Sequence, residues 1–133
     1  MDECKYCNEV KELKEGILKG IIAENSSFFA RLDRHPVSKG HVLIISREHR
    51  ANIFELPLGE LMDYGKILAD VKMVLDEEYH PDGYNVGSNI GKAAGQTKFH
   101  MHVHVIPRYD GDVEDPVGGV RNVIPGKGNY KKK

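Results

Sequence analysis

The apolar positions of this chain change period several times, and each change marks an element. Ile17 to Ile22 and Ser27 to Leu32 read as two short strands, with Asn25-Ser26 between them suited to a hairpin turn. His41 to Ser46 carries the unbroken apolar run Val42-Leu43-Ile44-Ile45 behind Gly40, the pattern of a strand buried on both faces. Leu61, Tyr64, Leu68, Val71 and Leu75 then recur at spacings of three and four, and Ile67 and Val74 widen the stripe. That period predicts one long helix over Pro57 to Glu78, with Pro57 in its first turn and Pro81-Asp82-Gly83 turning the chain beyond it. Tyr84 to Ser88 predicts a fourth strand, and Phe99 to Pro107, alternating strictly, a fifth. Asn8 to Gly16 is charged and a candidate short helix, while residues 110 to 133 hold five Gly and two Pro with no period and predict an irregular tail. The sum is a single α+β domain over residues 1–133: a five-stranded antiparallel sheet covered by one long helix.

Length and charge narrow the function classes. At 133 residues the chain makes one domain that hides roughly two-thirds of its unfolded surface. Lys plus Arg number 19 and Asp plus Glu 20, which argues against a general nucleic-acid binder. No stretch approaches the ~20 apolar residues of a membrane span, and Met1-Asp2-Glu3-Cys4-Lys5 lacks the apolar core of a leader, so the expectation is a cytoplasmic protein. In a reducing compartment, two Cys point to metal ligands or redox thiols rather than to a disulfide. Cys4-Lys5-Tyr6-Cys7 by itself supports either; no strand precedes it, as a thioredoxin-like unit would need, and zinc would require two further ligands.

The chemistry concentrates in the last strand. His100, His102 and His104 alternate with Met101, Val103 and Val105, so the three imidazoles share one strand face, about 6.6 Å apart along it. Three His on one face suit either a three-His zinc site or nucleophilic and acid–base chemistry at phosphorus, since imidazole titrates near neutrality. The preceding segment, Asn85-Val86-Gly87-Ser88 and Gly91 to Thr97, is rich in small residues, lets backbone N–H groups approach an anion, and ends with Gln96 and Thr97 as donors.

Four pieces in order resemble the histidine triad family: Phe99-His100-Met101-His102-Val103-His104-Val105-Ile106; Asp33, eight residues before His41; Pro36 to Ile45 with its Gly40-His41; and Asn85 with Gly95-Gln96-Thr97. The likeness runs from about Cys4 to Arg108. It implies a nucleotide hydrolase or nucleotidyl transferase acting at an α-phosphate of a purine nucleotide conjugate, such as a phosphoramidate or a dinucleoside polyphosphate. His102 would be the nucleophile, carrying a transient nucleotidyl group, with its other ring nitrogen fixed by a backbone carbonyl. His104 and His41 would contact the phosphate oxygens; Gln96, Thr97 and Asn85 would bind phosphate and leaving group; Asp33 would accept from the ribose hydroxyls. His104 stands where the uridylyltransferase branch carries Gln, which favours hydrolysis, while dinucleoside polyphosphate phosphorylases remain relatives.

The resemblance also supplies the missing zinc ligands. Members with an N-terminal Cys-x-x-Cys complete a structural Cys2His2 zinc site at the positions of His49 and His100. It implies a homodimer as well, for which the helix over Pro57 to Glu78 is a natural interface. The chain departs from the family in one place: Arg31 and Arg34 flank Asp33 where purine-binding members prefer apolar neighbours, so either Phe29 or Leu32 builds the base pocket or base selectivity is altered. A different class of function, a non-catalytic nucleotide-binding or zinc-organised interaction module, would have no need of His102, and His102→Asn separates the two.

Overall fold

The structure, a computed structural model, describes residues 4–131; Met1 to Glu3 and Lys132-Lys133, which carry part of the leader and tail readings, lie outside the described residues. Helix α1 (Lys5–Lys14) opens on Cys4, whose Sγ accepts the backbone N–H of Cys7 at 3.3 Å in place of the usual oxygen cap, and it carries Lys11 and Lys14 in its last turn, where the helix dipole favours cations. This is the short helix expected near residues 8–16, begun one turn earlier by the Cys4 cap.

Five strands follow: β1 (Ile21–Glu24), β2 (Phe28–Leu32), β3 (Val42–Ser46), β4 (Gly83–Gly87) and β5 (His102–Arg108), ordered β1-β2-β3-β5-β4 with every pair antiparallel. The first strand begins four residues later than the apolar pattern predicts, because Gly20 turns with φ 79° and Ile17 is left exposed. Asn25 makes the hairpin work without Gly: its Oδ1 accepts the N–H groups of Ser27 and Phe28 at 3.0 and 2.9 Å.

The sheet has two unlike faces. Phe28, Ala30, Val42, Ile44, Met101, Val103 and Val105 point to helix α2 (Leu58–Tyr79), which returns Ile67, Val71 and Leu75, all fully buried. Each of those helix side chains contributes about 1.5–3 kcal/mol by burial. Leu61, counted in the predicted stripe, is 43% exposed; the stripe that packs is narrower and begins at Tyr64. On the other face Phe29, Leu43 and Ile45 receive Tyr6 and Val10 of α1. The short helix covers only part of that face, and the gap it leaves exposes the histidine side of β5.

Helix α2 ends with His80 in the left-handed region, φ 49°, ahead of Pro81. Gly40 is required where it stands: its φ is +85°, and a Cβ there would lie 2.9 Å from the Tyr79 ring. The tail from residue 110 is turns plus one 3-10 segment, Gly119–Val123, folded beside β4. Among the described residues no helix is long and apolar enough to cross a membrane.

Candidate functional site

Two clusters flank one residue, His100. Strand β5 begins at His102 rather than at Phe99, because Met101 leaves the regular ladder: its N–H donates to Arg50 O at 2.6 Å and its carbonyl accepts from Ser46 N–H. That offset sets His100 apart from the other two imidazoles and buries it beside α1.

There its Nδ1 lies 3.2 Å from Cys4 Sγ, 3.5 Å from Cys7 Sγ and 3.2 Å from His49 Nδ1, and Cys7 Sγ lies 3.2 Å from His49 Nδ1. Ordinary zinc–sulfur and zinc–nitrogen bonds place the ligand atoms of a tetrahedral site about 3.3–3.8 Å apart, close to what is found. The Nε2–H of His100 donates to Ser46 O at 2.7 Å, which fixes the tautomer and turns the Nδ1 lone pair toward the sulfurs. Burial lowers the pKa of His100 and so keeps it neutral, as a ligand must be. Burial and the adjoining Cys4 thiol push the Cys7 thiol up to about 11, so without a cation Cys7 holds its proton at neutral pH. Two thiols and two ring nitrogens converging in this way are a donor set suited to zinc.

The second cluster is the open one. Nδ1–H of His102 donates to the His100 carbonyl at 2.8 Å, leaving the Nε2 lone pair free to face the cleft. A relay on its flank settles two more tautomers. Val37 N–H donates to His41 Nδ1 at 3.1 Å; His41 must then carry its proton on Nε2, which donates to His104 Nδ1 at 2.9 Å. His104 therefore presents Nε2–H as a donor. Burial lowers the pKa of both rings, while the Asp33 carboxylate, 3.5 Å from His41 Nε2 and 4.0 Å from His104 Nδ1, acts the other way. Both stay neutral at pH 7. The Tyr6 ring packs on His102 at 5.0 Å between centroids.

Of the residues singled out in the sequence, His102, His104, Asp33, Gln96 and Thr97 line this cleft, with His41 behind His104. Gln96 plays a different part from the one expected. Its Oε1 accepts from Gly91 N–H, and its amide donates to Ala51 O and Lys98 O at 2.8 and 3.1 Å. Both amide hydrogens are thus committed, and Gln96 shapes the loop, where Gly95 holds φ 93°, instead of donating to a ligand. Asn85 is not brought to the cleft: its Oδ1 accepts from Arg108 Nη1 at 2.6 Å, beside Gly119 of the tail. Asn89, four residues on, lines the cleft where Asn85 does not; its place just ahead of the Gly91–Gly95 loop was the only signal for it. Phe29 is buried under α1 and Leu32 packs toward α2, so neither lines the cleft, whereas Tyr6, Lys5 and Arg34 do.

Comparison with known proteins adds to this geometry. Residues 14–111 match the family described as HIT domain. An uncharacterized HIT-like protein of Methanocaldococcus jannaschii is 36% identical over 121 residues, covering 90% of this chain and 91% of its own. The adenosine 5′-monophosphoramidase of Schizosaccharomyces pombe is 39% identical over 106 residues, covering 79% and 74%. Among solved structures, a Zn-bound histidine triad family protein from Mycobacterium smegmatis superposes with a TM-score of 0.70 at 33% identity, covering 83% of this chain and 78% of that one. Cys4 and Cys7 lie ahead of the matched segment.

Proposed function

Because this chain belongs to the histidine triad family, we propose that it is a nucleotide hydrolase that cleaves nucleotide conjugates at the α-phosphate through His102. The observation that carries the reading is the 2.8 Å bond from His102 Nδ1–H to the His100 carbonyl, which leaves Nε2 with its lone pair in the cleft beside a second donor, His104. The likeness to an adenosine 5′-monophosphoramidase supports a nucleoside phosphoramidate as substrate.

The steps follow from the tautomers. Nε2 of His102 attacks the α-phosphorus; the P–Nε2 bond forms as the bond to the leaving group breaks, and that group departs with the electron pair and takes a proton from water. The ring becomes cationic, and the His100 carbonyl, already accepting Nδ1–H, stabilises it. Nε2–H of His104 donates to a phosphate oxygen as negative charge gathers there, and a neutral His41 holds it in place. Water then attacks phosphorus and gives its surplus proton to the hydroxide left by the first step, Nε2 leaves with its electron pair, and the nucleoside monophosphate is released. The net reaction consumes one water, with one hydrogen on the leaving group and one on the new phosphate. Thr97 and Asn89, which line the cleft, would bind the phosphate, and Asp33 would accept a ribose hydroxyl through Oδ2, the oxygen not bonded to the His35 N–H.

Cys4, Cys7, His49 and His100 would hold a structural zinc ion, which when bound ties α1 to the start of β5. Its support is the donor geometry above and the Zn-bound relative. A homodimer is the proposed assembly: α2 leaves Leu58, Leu61, Met62 and Met73 exposed, and β4 is an edge strand.

The test compares monophosphate release from adenosine phosphoramidate and from a dinucleoside tetraphosphate by wild type and His102→Asn. We expect turnover by wild type and a loss of at least ~1000-fold in the variant with binding kept. A wild type that binds these nucleotides but is inert on both would make the chain a nucleotide-binding module.

A further inference from the structure

The cleft does not end at the triad. Past Tyr6 it runs to Lys5, Arg31 and Arg34, and Lys98 stands on its other rim. The Tyr6 ring is 5.0 Å from the His102 ring and 6.0 Å from Arg31 Cζ, so that guanidinium lies within about 11 Å of the nucleophile, the two distances laid end to end. The far end is therefore within reach of a molecule whose phosphorus sits at His102.

This end is poorly made for a bare purine. A stacked base needs flat apolar walls. The apolar side chains here are Tyr6 and Leu43, and both are buried, 5% and 3% exposed, beneath the charged groups. What the cleft does present is cationic. Lys5, Arg31, Arg34 and Lys98 line it against one carboxylate, Asp33; with Glu9 behind the wall the region still holds two more cations than anions, in a chain whose net charge is −1.

The arrangement behind that wall is costly and specific. Glu9 and Arg31, both buried, pair through two hydrogen bonds, and Glu9 Oε2 also accepts from Arg34 Nη1 at 3.3 Å. A buried ion pair contributes little that apolar side chains of the same size would not. Here it does something they could not: one carboxylate, neutralised by Arg31, holds a second guanidinium at the rim, where Arg34 stays 49% exposed. A positioned and half-solvated Arg with Lys5 nearby is suited to a phosphoryl group.

We propose that this end of the cleft is a subsite for a further phosphate, so that the substrates are nucleotide conjugates phosphorylated on their nucleoside part as well as at the scissile position, with Arg34 as the residue that selects them. The proposal rests on the hydrolase reading and narrows its substrate.

Calorimetry with AMP, GMP, adenosine 2′,5′-bisphosphate and adenosine 3′,5′-bisphosphate, and turnover of adenosine 5′-phosphoramidate with and without a 3′-phosphate, test it. One or both bisphosphates bind at least ~10-fold tighter than AMP at 0.1 M salt, and the excess shrinks at 0.5 M. Arg34→Leu abolishes the excess, Arg34→Lys keeps part of it, and Lys19→Leu, outside the cleft, leaves it intact. Glu9 stays paired with Arg31 in both Arg34 variants, so they fold. Equal affinity and turnover with and without the second phosphate overturn the inference while leaving the hydrolase reading standing. So does a preference for GMP over AMP with no gain from the phosphate, which would make Arg34 a reader of the base edge. Failure to bind or cleave any of them sinks both readings.

Discussion

The backbone carbonyl of His100 accepts the Nδ1–H of His102 at 2.8 Å, while the His100 ring stands among Cys4, Cys7 and His49. One residue therefore belongs to both clusters: its side chain to the candidate metal centre, its main chain to His102. Anything that frees the His100 ring frees the carbonyl that sets the His102 tautomer. Purified protein is expected to carry about one zinc per chain, and chelation should lower both the melting temperature and kcat, with zinc restoring both. Cys7→Ala should behave like the chelated protein. Unchanged melting and rate on full removal of metal would show the two clusters to be independent.

The Glu9–Arg31 pair gives a prediction about stability. Both side chains are almost wholly buried, 4% and 2% exposed, and each is the other's main partner. Removing one leaves an uncompensated buried charge, which costs about 3–5 kcal/mol. The two losses should not be equal. Arg31→Ala leaves Glu9 with Arg34, whereas Glu9→Ala leaves two guanidinium groups facing each other. Denaturant unfolding should place Glu9→Ala as the weaker protein, and the reverse order would mean that Arg34 does not compensate.

Much of this was legible in the chain beforehand, and the exceptions share a cause. The period of two through His100 to Val105 and the 3–4 spacing of Ile67, Val71 and Leu75 are local signals; the helix is where its spacing predicts, while the strand begins three residues late, at His102. The quartet Cys4, Cys7, His49 and His100, by contrast, joins residues up to 96 positions apart and came from resemblance, since no local rule pairs Cys4 with His100. Gln96 was expected on a ligand as a donor ending the Gly-rich loop, and Asn85 through the resemblance to the family's pre-triad loop. The fold spends Asn85 on Arg108 and Gln96 on three backbone groups. A side chain's residue type shows what it can bond, but not which of its neighbours reaches it first.

The exposed apolar residues of α2 predict the assembly. Leu58, Leu61, Met62 and Met73 stand outside the buried stripe of a helix whose other face already fills the core. Light scattering should give about twice the 14.9 kDa of one chain. Met62→Glu, which places a charge in that face without touching the core, should shift the mass toward one chain and leave the melting of the monomer cooperative. A single-chain mass for the wild type at micromolar concentration would remove the dimer from the proposal.

The relay Val37–His41–His104 carries a pH dependence whose sign is fixed by its tautomers. Nδ1 of His41 accepts from Val37 and Nδ1 of His104 accepts from His41, so the relay exists only with both rings neutral. Burial is the largest influence on each and lowers its pKa; Asp33 raises both. A His with a folded pKa below its unfolded value, about 6.5, takes up its proton more readily when unfolded. Its contribution to stability is therefore complete above that value and is lost as pH falls through the folded pKa. Turnover of a dinucleoside tetraphosphate, whose phosphates keep their charge in this range, should be flat above about pH 6.5 and fall only on the acid side. Asp33→Asn removes the one influence that raises both rings, so the acid limb should move to lower pH even as kcat/KM drops for want of the carboxylate. A limb that stays in place or moves to higher pH would separate the acid loss of activity from this relay.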